Sequence, residues 1–264
     1  MRIITLLTDF GLADGYVAAM KGVIAGIAPD AALIDVTHLV PPQDVASGRF
    51  RLLTVTPYFP PGTVHLAVVD PGVGTTRRAV AVRSSSGSLL VGPDNGLLLG
   101  AVEADPAVAA VELSEPRFWR TPTPSATFHG RDVFAPVAAH LATGVALGEL
   151  GRAIAPGSLV KLDVASWRSV SGGAEGAIQA VDGFGNLISS IPGHVLPAHG
   201  RWPASIGGRT VTGERTYGDV RPGEVVALVG SHGFVEIAVR QGDARKTLEA
   251  ATGTAVAIRW ERSS

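Results

Sequence analysis

The chain has no cysteine among its 264 residues, which excludes disulfides, thiolate metal sites and cysteine nucleophiles together. It has no surplus of charge either. Its 22 Lys and Arg stand against 23 Asp and Glu, for a net charge of -1, so no basic surface argues for nucleic acid or anionic lipid. No apolar run approaches the roughly 18 residues that cross a bilayer, and the segment Met1–Leu7 meets Asp9 too soon for a secretory signal. The expectation is a cytoplasmic protein with no nucleic-acid or membrane partner. A hydrophobic content of 46% supports a full core, and 33 Gly with 18 Pro imply many tight loops, where binding and catalytic residues concentrate.

The first half alternates strand and helix patterns. Arg2–Leu7 reads as a strand ending at Thr8-Asp9-Phe10-Gly11. Asp14 then stands where it would cap a helix carrying Tyr16, Met20, Val23, Ile24 and Ile27 on one stripe, stopped by Pro29. Ala32–Val36 reads as a second strand, and Pro41-Pro42-Gln43-Asp44 leads into a helix reaching about Thr54. Val64–Val69 is continuously apolar, as a parallel strand buried on both faces would be. Ala79–Arg83 and Ser88–Val91 read as a strand pair, Pro93-Asp94-Asn95-Gly96 turns into a Leu-rich helix, and Arg131–Leu141 is helical. This alternation predicts an α/β domain, residues 1–165, with a mainly parallel central sheet. Beyond a linker at about 160–172, short β segments separated by Gly, Pro and Asp-Gly turns predict a smaller all-β barrel over 172–264. Those segments are Ala177–Val181, Asn186–Ile191, Glu224–Val229, Phe234–Val239 and Ala255–Trp260.

Two loops carry the most chemistry. Asp70-Pro71-Gly72-Val73-Gly74-Thr75-Thr76-Arg77 follows the apolar strand and sets a carboxylate and a guanidinium on either side of a Gly/Pro turn. Phe128-His129-Gly130-Arg131-Asp132 offers an imidazole just before a helix. Converging, an acid, a base and a permanent cation suit activation of a small nucleophile such as water. Asp70 also has a bland reading as an Asp-Pro turn, and Asp9 one as a turn cap. Both stand at the strand edge that faces ligands in open α/β sheets, where Asp9 would suit vicinal hydroxyls such as those of a ribose. Arg77 and Arg78, being adjacent, point in different directions, one of them toward the surface or an ion pair. Gly72 and Gly74 hint at a phosphate cradle, but no Lys-Ser/Thr follows, which argues against a Walker-type site. His38 competes with His129; His65 sits inside a strand as a core or sheet-face residue. His194, His199 and His232 lack metal-ligand spacing, so no zinc site is expected. In the second domain Asp182-Gly183-Phe184-Gly185-Asn186 is either a hairpin turn or a base-reading amide. Tyr217 is an aromatic ring in a polar loop, and Gly230-Ser231-His232-Gly233-Phe234-Val235-Glu236 adds a hydroxyl, backbone donors and a carboxylate.

These segments, with Asp35-Val36-Thr37-His38 and Ser231 to Val239, occur in order along nearly the whole chain. Together they resemble the S-adenosyl-L-methionine (SAM) hydrolase, or SAM hydroxide adenosyltransferase, family, whose halogenating relatives are the fluorinase and chlorinase. The resemblance implies a homotrimer with substrate held between the first domain of one subunit and the second domain of its neighbour. It implies that Asp70, Arg77 and His129 are the water-activating trio and that SAM is a substrate, with no cofactor or metal. Asp9 would hold the ribose hydroxyls, Asn186 and the Ser231 region the adenine, and Asp182 the methionine ammonium, while Tyr217 would stack on adenine. Phe10, Glu236 and Val239 complete the substrate-binding set. Asp70 argues for hydrolysis over halogenation, because a carboxylate beside a desolvated halide is costly. Halogenating relatives carry an uncharged residue there and an extra loop for which the Ala79–Pro93 segment leaves no room. Gln43 departs from the aromatic residue that relatives often carry at the ribose wall. A SAM- or adenosine-binding module without turnover, and a metal-dependent phosphoester hydrolase, are the alternatives.

Overall fold

The computed structural model describes residues 2–103, 105–197 and 202–260, so His199 lies outside the described residues. The chain divides into two compact units, Met1–Leu162 and Asp163–Ser264.

In the first unit a seven-stranded sheet comprises β1 (Ile3–Thr8), β2 (Ala32–Thr37), β3 (Val64–Val68), β4 (Ala79–Ser84), β5 (Leu89–Pro93), β6 (Ala107–Leu113) and β7 (Gly151–Ile154). Its order is β2-β1-β3-β5-β4-β6-β7. The β1–β2, β1–β3 and β3–β5 ladders are parallel, whereas β5–β4, β4–β6 and β6–β7 are antiparallel. The sheet is therefore mixed, which corrects the expectation of a mainly parallel one. The parallel half is the one with crossover helices. The Ser84–Ser88 turn folds β4 back on β5, and β6 and β7, with no strand signal in the sequence reading, extend that antiparallel edge.

Helices cover both faces. On one side α1 (Tyr16–Ile27) and α4 (Ala135–Thr143) press Met20, Ile24, Val137 and Leu141 onto Ile4, Leu6, Val64 and Leu66. On the other, α2 (Val45–Val55) and α3 (Leu99–Val102) cover Leu7, Ala67 and Val69 with Leu52 and Ala101, joined by Leu97 from the turn before α3. Every residue of β3 is buried, as a central parallel strand requires. Asp44 caps α2 by accepting from Ser47 N at 2.9 Å. Asp14 does not cap α1. Gly15 holds the N-cap position with no side-chain bond, one residue later than the spacing suggested. The Leu-rich helix shrinks to the four residues of α3. The expected Arg131–Leu141 helix opens with a π turn, Gly130–Phe134, in which Ala135 N donates to Gly130 O. That extra residue per turn sits beside His129, the kind of place where π turns recur.

In the second unit β8 (Arg168–Val170), β9 (Gly173–Val181), β10 (Leu187–Pro192), β11 (Pro203–Ile206), β12 (Arg209–Thr212), β13 (Val225–Val229), β14 (Phe234–Val239) and β15 (Ala255–Arg259) form an antiparallel sheet. Its path is β12-β11-β15-β9-β10-β14-β13, with β8 beside β9. A bridge between Gly213 and Ala227 brings the end of β12 to β13, so the sheet nearly closes on itself. Ile178, Leu187, Trp202, Ile237 and Ile258 fill the enclosed core. A short helix, α5 (Ala244–Leu248), is capped by Asp243, which accepts from Lys246 N at 3.0 Å. Among the described residues no helix is long and apolar enough to cross a membrane.

Candidate active site

Because β1, β3 and β5 are parallel neighbours, the residues that follow them leave the sheet at one edge. These are Asp9, Asp70 and Asp94. Asn95 ties this edge together by donating from Nδ2 to Val69 O at 2.8 Å. The two adjacent arginines diverge as expected. Arg78 binds Asp94, Nε to Oδ2 at 2.8 Å, and donates to Ser158 O at 2.5 Å. Arg77 turns to Asp70, donating from Nε to Oδ1 at 2.9 Å and to Oδ2 at 3.1 Å, with Nη2 also on Oδ2.

The same Nη2 lies 2.8 Å from His129 Nδ1. A guanidinium has no lone pair to offer, so His129 Nδ1 must be the acceptor and the neutral ring carries its proton on Nε2. Burial first, and the Arg77 charge second, push His129 below its ordinary value of 6.5, against the smaller pull of Asp70 and Asp132. His129 is thus a neutral donor through Nε2 at neutral pH. Beneath the trio the Arg77 guanidinium lies 5.2 Å from the centre of the fully buried Phe134 ring. Two glycines let the loops close this tightly. Gly74 has φ +77°, and a Cβ there would come within 2.5 Å of Ala126 O. A Cβ on Gly130 would meet the rings of Phe10 and Phe128 at 3.2 Å.

Asp9 accepts from Gln43 N at 2.8 Å. Gln43 itself has φ +65°, a left-handed conformation uncommon outside glycine. Phe10 N donates to Thr8 Oγ1 at 3.2 Å, and Thr8 Oγ1 is 2.8 Å from Nδ1 of the buried His38. His38 is therefore a support under the Asp9–Phe10 loop and does not join His129. His65 is core, as its strand position suggested. It bonds Thr5 Oγ1 at 2.8 Å and is driven down to about 4 by burial.

In the second unit Asp182 organises its own turn. Its Oδ1 accepts from Phe184 N and Asn186 N, and its Oδ2 from Asn186 Nδ2, all at 2.9 Å. Asn186, nearly buried, keeps its amide oxygen and one N–H for another partner. Glu236, buried on β14, accepts from Tyr217 OH at 2.5 Å and from His232 Nε2 at 3.0 Å. His232 Nδ1 accepts from Phe234 N at 3.1 Å, so Nε2 carries the hydrogen given to Glu236. Burial, with Glu236 next, raises the Tyr217 phenol above its ordinary value, so it stays protonated. Tyr217 as a residue remains 41% exposed and Phe184 81% exposed. Ser231 is exposed, whereas the Val239 side chain packs in the barrel core. The structure thus assembles Asp182 with Asn186, and Tyr217 with Glu236.

Two family models match the chain. That of the SAM hydroxide adenosyltransferase N-terminal domain covers residues 4–151, and that of the C-terminal domain covers 176–257. The chain belongs to the SAM hydroxide adenosyltransferase family. An (R)-S-adenosyl-L-methionine hydrolase of Salinispora arenicola is 48% identical over 95% of both chains. A fluorinase of an Actinoplanes species is 32% identical over 72% of this chain and 71% of its own. The crystal structure of a conserved uncharacterized protein from Thermotoga maritima superposes with a TM-score of 0.90 at 35% identity, covering 97% of this chain and 99% of that one.

In this family member the sequence reading passed over Asp132, whose side chain is 1% exposed. Asp132 takes Arg120 Nε at 2.5 Å, Arg131 Nε at 2.7 Å and Ser125 N at 2.9 Å, so it pins the loop that presents His129. An Asp directly after an Arg looks like a solvated pair in sequence, and no local pattern announces that it is buried. Among the described residues no three His, Asp or Glu gather where a metal ion would sit.

The state of His129 gives a pH prediction. Its lowered value means that the folded chain resists protonation there. Its contribution to stability is therefore complete above 6.5 and is lost as pH falls toward the lower folded value. The catalytic rate is expected to follow the neutral form, with an acid limb whose midpoint lies below 6.5. A pH–rate profile checks this, and a limb centred above 6.5 contradicts it.

Proposed function

We propose that this protein hydrolyses SAM to adenosine and L-methionine by attack of water on the ribose C5′, in the cytoplasm. The observation that carries the reading is the hydrogen-bonded array Asp70–Arg77–His129 at the sheet edge that also bears Asp9. Membership of a family whose curated relatives include SAM hydrolases supports it.

The reaction suits that array. The oxygen of water forms the bond to C5′ while the C5′–S bond breaks, its electron pair going to sulfur. The leaving group is a neutral thioether and needs no general acid. Water is the weak partner, and it becomes strongly acidic only as its bond to carbon forms. Asp70 then takes the proton, while the Nε2–H of His129 and the Arg77 cation hold the oxygen and stabilise its developing charge. A base at Nε2 of His129 would require the ring to give up its bond from Arg77, so Asp70 is the acceptor the geometry favours. Holding water, C5′ and sulfur in line supplies much of the remaining acceleration.

Asp9 binds the ribose hydroxyls, and its orientation is set by the main-chain bond from Gln43. Phe10 forms the wall beside it. Asn186, with its amide turned by Asp182, reads the adenine edge together with the Ser231 and Glu236 segment up to Val239. Tyr217, its hydroxyl spent on Glu236, offers its ring face to the base. Asp182 adds negative charge for the methionine ammonium. The chain assembles as a homotrimer, the first unit of one subunit facing the second unit of its neighbour across each substrate.

Incubation with SAM is expected to yield adenosine and methionine in equal amounts, with one proton released per turnover at neutral pH. Chromatography with a pH-stat trace checks this. Tight adenosine binding without turnover would leave a binding module instead.

A further inference from the structure

We propose that Phe10, Tyr16 and Phe128 form the surface that recognises the positive charge on the substrate's sulfur, and that Tyr16 sets the preference for a charged over a neutral centre. The inference rests on the hydrolase reading above.

The three rings form one cluster. Phe10 and Phe128 meet edge to face with centres 5.7 Å apart, Tyr16 and Phe128 likewise at 5.2 Å, and Phe10 and Tyr16 are tilted at 6.0 Å. Tyr16 opens the apolar stripe of α1, where a buried position was expected, yet it is 50% exposed. Its neighbours Met20 and Ile24 on the same stripe are fully buried. The core therefore does not use this ring.

Its position suggests what does. Phe10 directly follows Asp9 and Phe128 directly precedes His129, so the cluster begins beside the proposed ribose carboxylate and the water-site imidazole. In an in-line displacement the sulfur lies beyond C5′ from the water, and the cluster continues from His129 through Phe128 to Tyr16. Aromatic faces attract cations. The nearby positive groups do not oppose this. Arg131 lies over one face of Phe128, 5.1 Å from the ring centre, with its charge balanced by both oxygens of Asp132, so Phe128 offers its other face and Tyr16 is the more open ring. Arg77 is held by Asp70, and His129 Nδ1 accepts a bond that only the uncharged ring can take.

The kinetics should carry a signature. The sulfonium charge is full in bound substrate and partly lost in the transition state, so the rings hold the ground state more tightly. Removing Tyr16 should raise KM by at least the factor by which it lowers kcat/KM, so that kcat rises or holds.

Two stable analogues separate charge from shape. Sinefungin carries an ammonium where SAM has its sulfonium, and S-adenosylhomocysteine carries a neutral thioether. Calorimetric titration of wild type, Tyr16→Leu and Tyr16→Phe with each, and with adenosine, reads the preference directly. We expect Tyr16→Leu to cut the sinefungin-over-thioether preference by about 3- to 30-fold. Adenosine affinity should stay unchanged and Tyr16→Phe should keep the preference. Equal weakening of both analogues would make the ring a mere wall, and no change would remove it from the site; either overturns the proposal. A wild-type protein that binds neither analogue overturns the hydrolase reading itself, and this inference with it.

Discussion

Arg77→Met is expected to be the most damaging single substitution, lowering kcat by roughly 10²–10³ while adenosine affinity stays within about twofold. Arg77 joins the whole array, holding the Asp70 carboxylate with Nε and Nη2 and the lone pair of His129 with Nη2. Without it the imidazole is free to change tautomer, and the cation that stabilises the forming charge is gone. Stability falls as well. The Asp70 side chain is 5% exposed and that of Arg77 11%, and removing one partner of a buried pair costs about 3–5 kcal/mol, because the other is left charged and alone. The double variant Asp70→Asn/Arg77→Met has no stranded charge, so its melting temperature should recover part of the loss while its activity does not. Thermal unfolding and steady-state kinetics on wild type and these two variants separate the two effects. Wild-type turnover in Arg77→Met would remove the array from the mechanism.

Asp132→Asn should have the second largest effect, and by a different route. Asp132 touches no proposed substrate group. It pins Ser125, Arg120 and Arg131 around the loop that carries His129. A neutral amide accepts less strongly and forces an N–H toward donors. We expect a stability loss of about 3 kcal/mol, at the low end for a broken buried pair because both arginines can rehydrate. We also expect kcat to fall by roughly 10- to 100-fold as the imidazole drifts from its place. Acid unfolding distinguishes this role. The bonds from Arg131 in particular hold the Asp132 carboxyl well below the ordinary 3.8. The stability it contributes is complete above 3.8 and is lost as pH falls below that value. In Asp132→Asn this acid-sensitive part should be missing, while the His129 limb of the rate profile below 6.5 persists. An unchanged acid unfolding curve would contradict the assignment.

How far the sequence reading reached follows from which signals are local. Val64–Val68 and Phe234–Val239 were legible because continuous or alternating apolar residues mark buried strands. The strands at 107–113 and 151–154 were not. The first dilutes its two valines with three alanines and a Glu, residues of little strand preference, and the second is four residues long. Missing them made a mixed sheet look mainly parallel. Asp70, Arg77 and His129 stood out as residues, since a carboxylate, a cation and an imidazole flank glycines in two loops. Their convergence depends on Gly74 approaching Ala126, a contact across 52 positions of chain that no window on the sequence sees. Tyr16 shows the opposite failure. Its helical spacing promised burial, but it is the first residue of α1 and half exposed, while Met20 and Ile24 further along the same stripe are buried.

The central claim is that Asp70, Arg77 and His129 direct water onto C5′ of the ribose. Turnover of SAM in ¹⁸O-enriched water with chloride present, followed by mass spectrometry of the nucleoside, tests it most directly. Adenosine carrying one ¹⁸O at the 5′ oxygen, with no chlorinated product, is expected. Formation of 5′-chloro-5′-deoxyadenosine, or adenosine without the label, would contradict it.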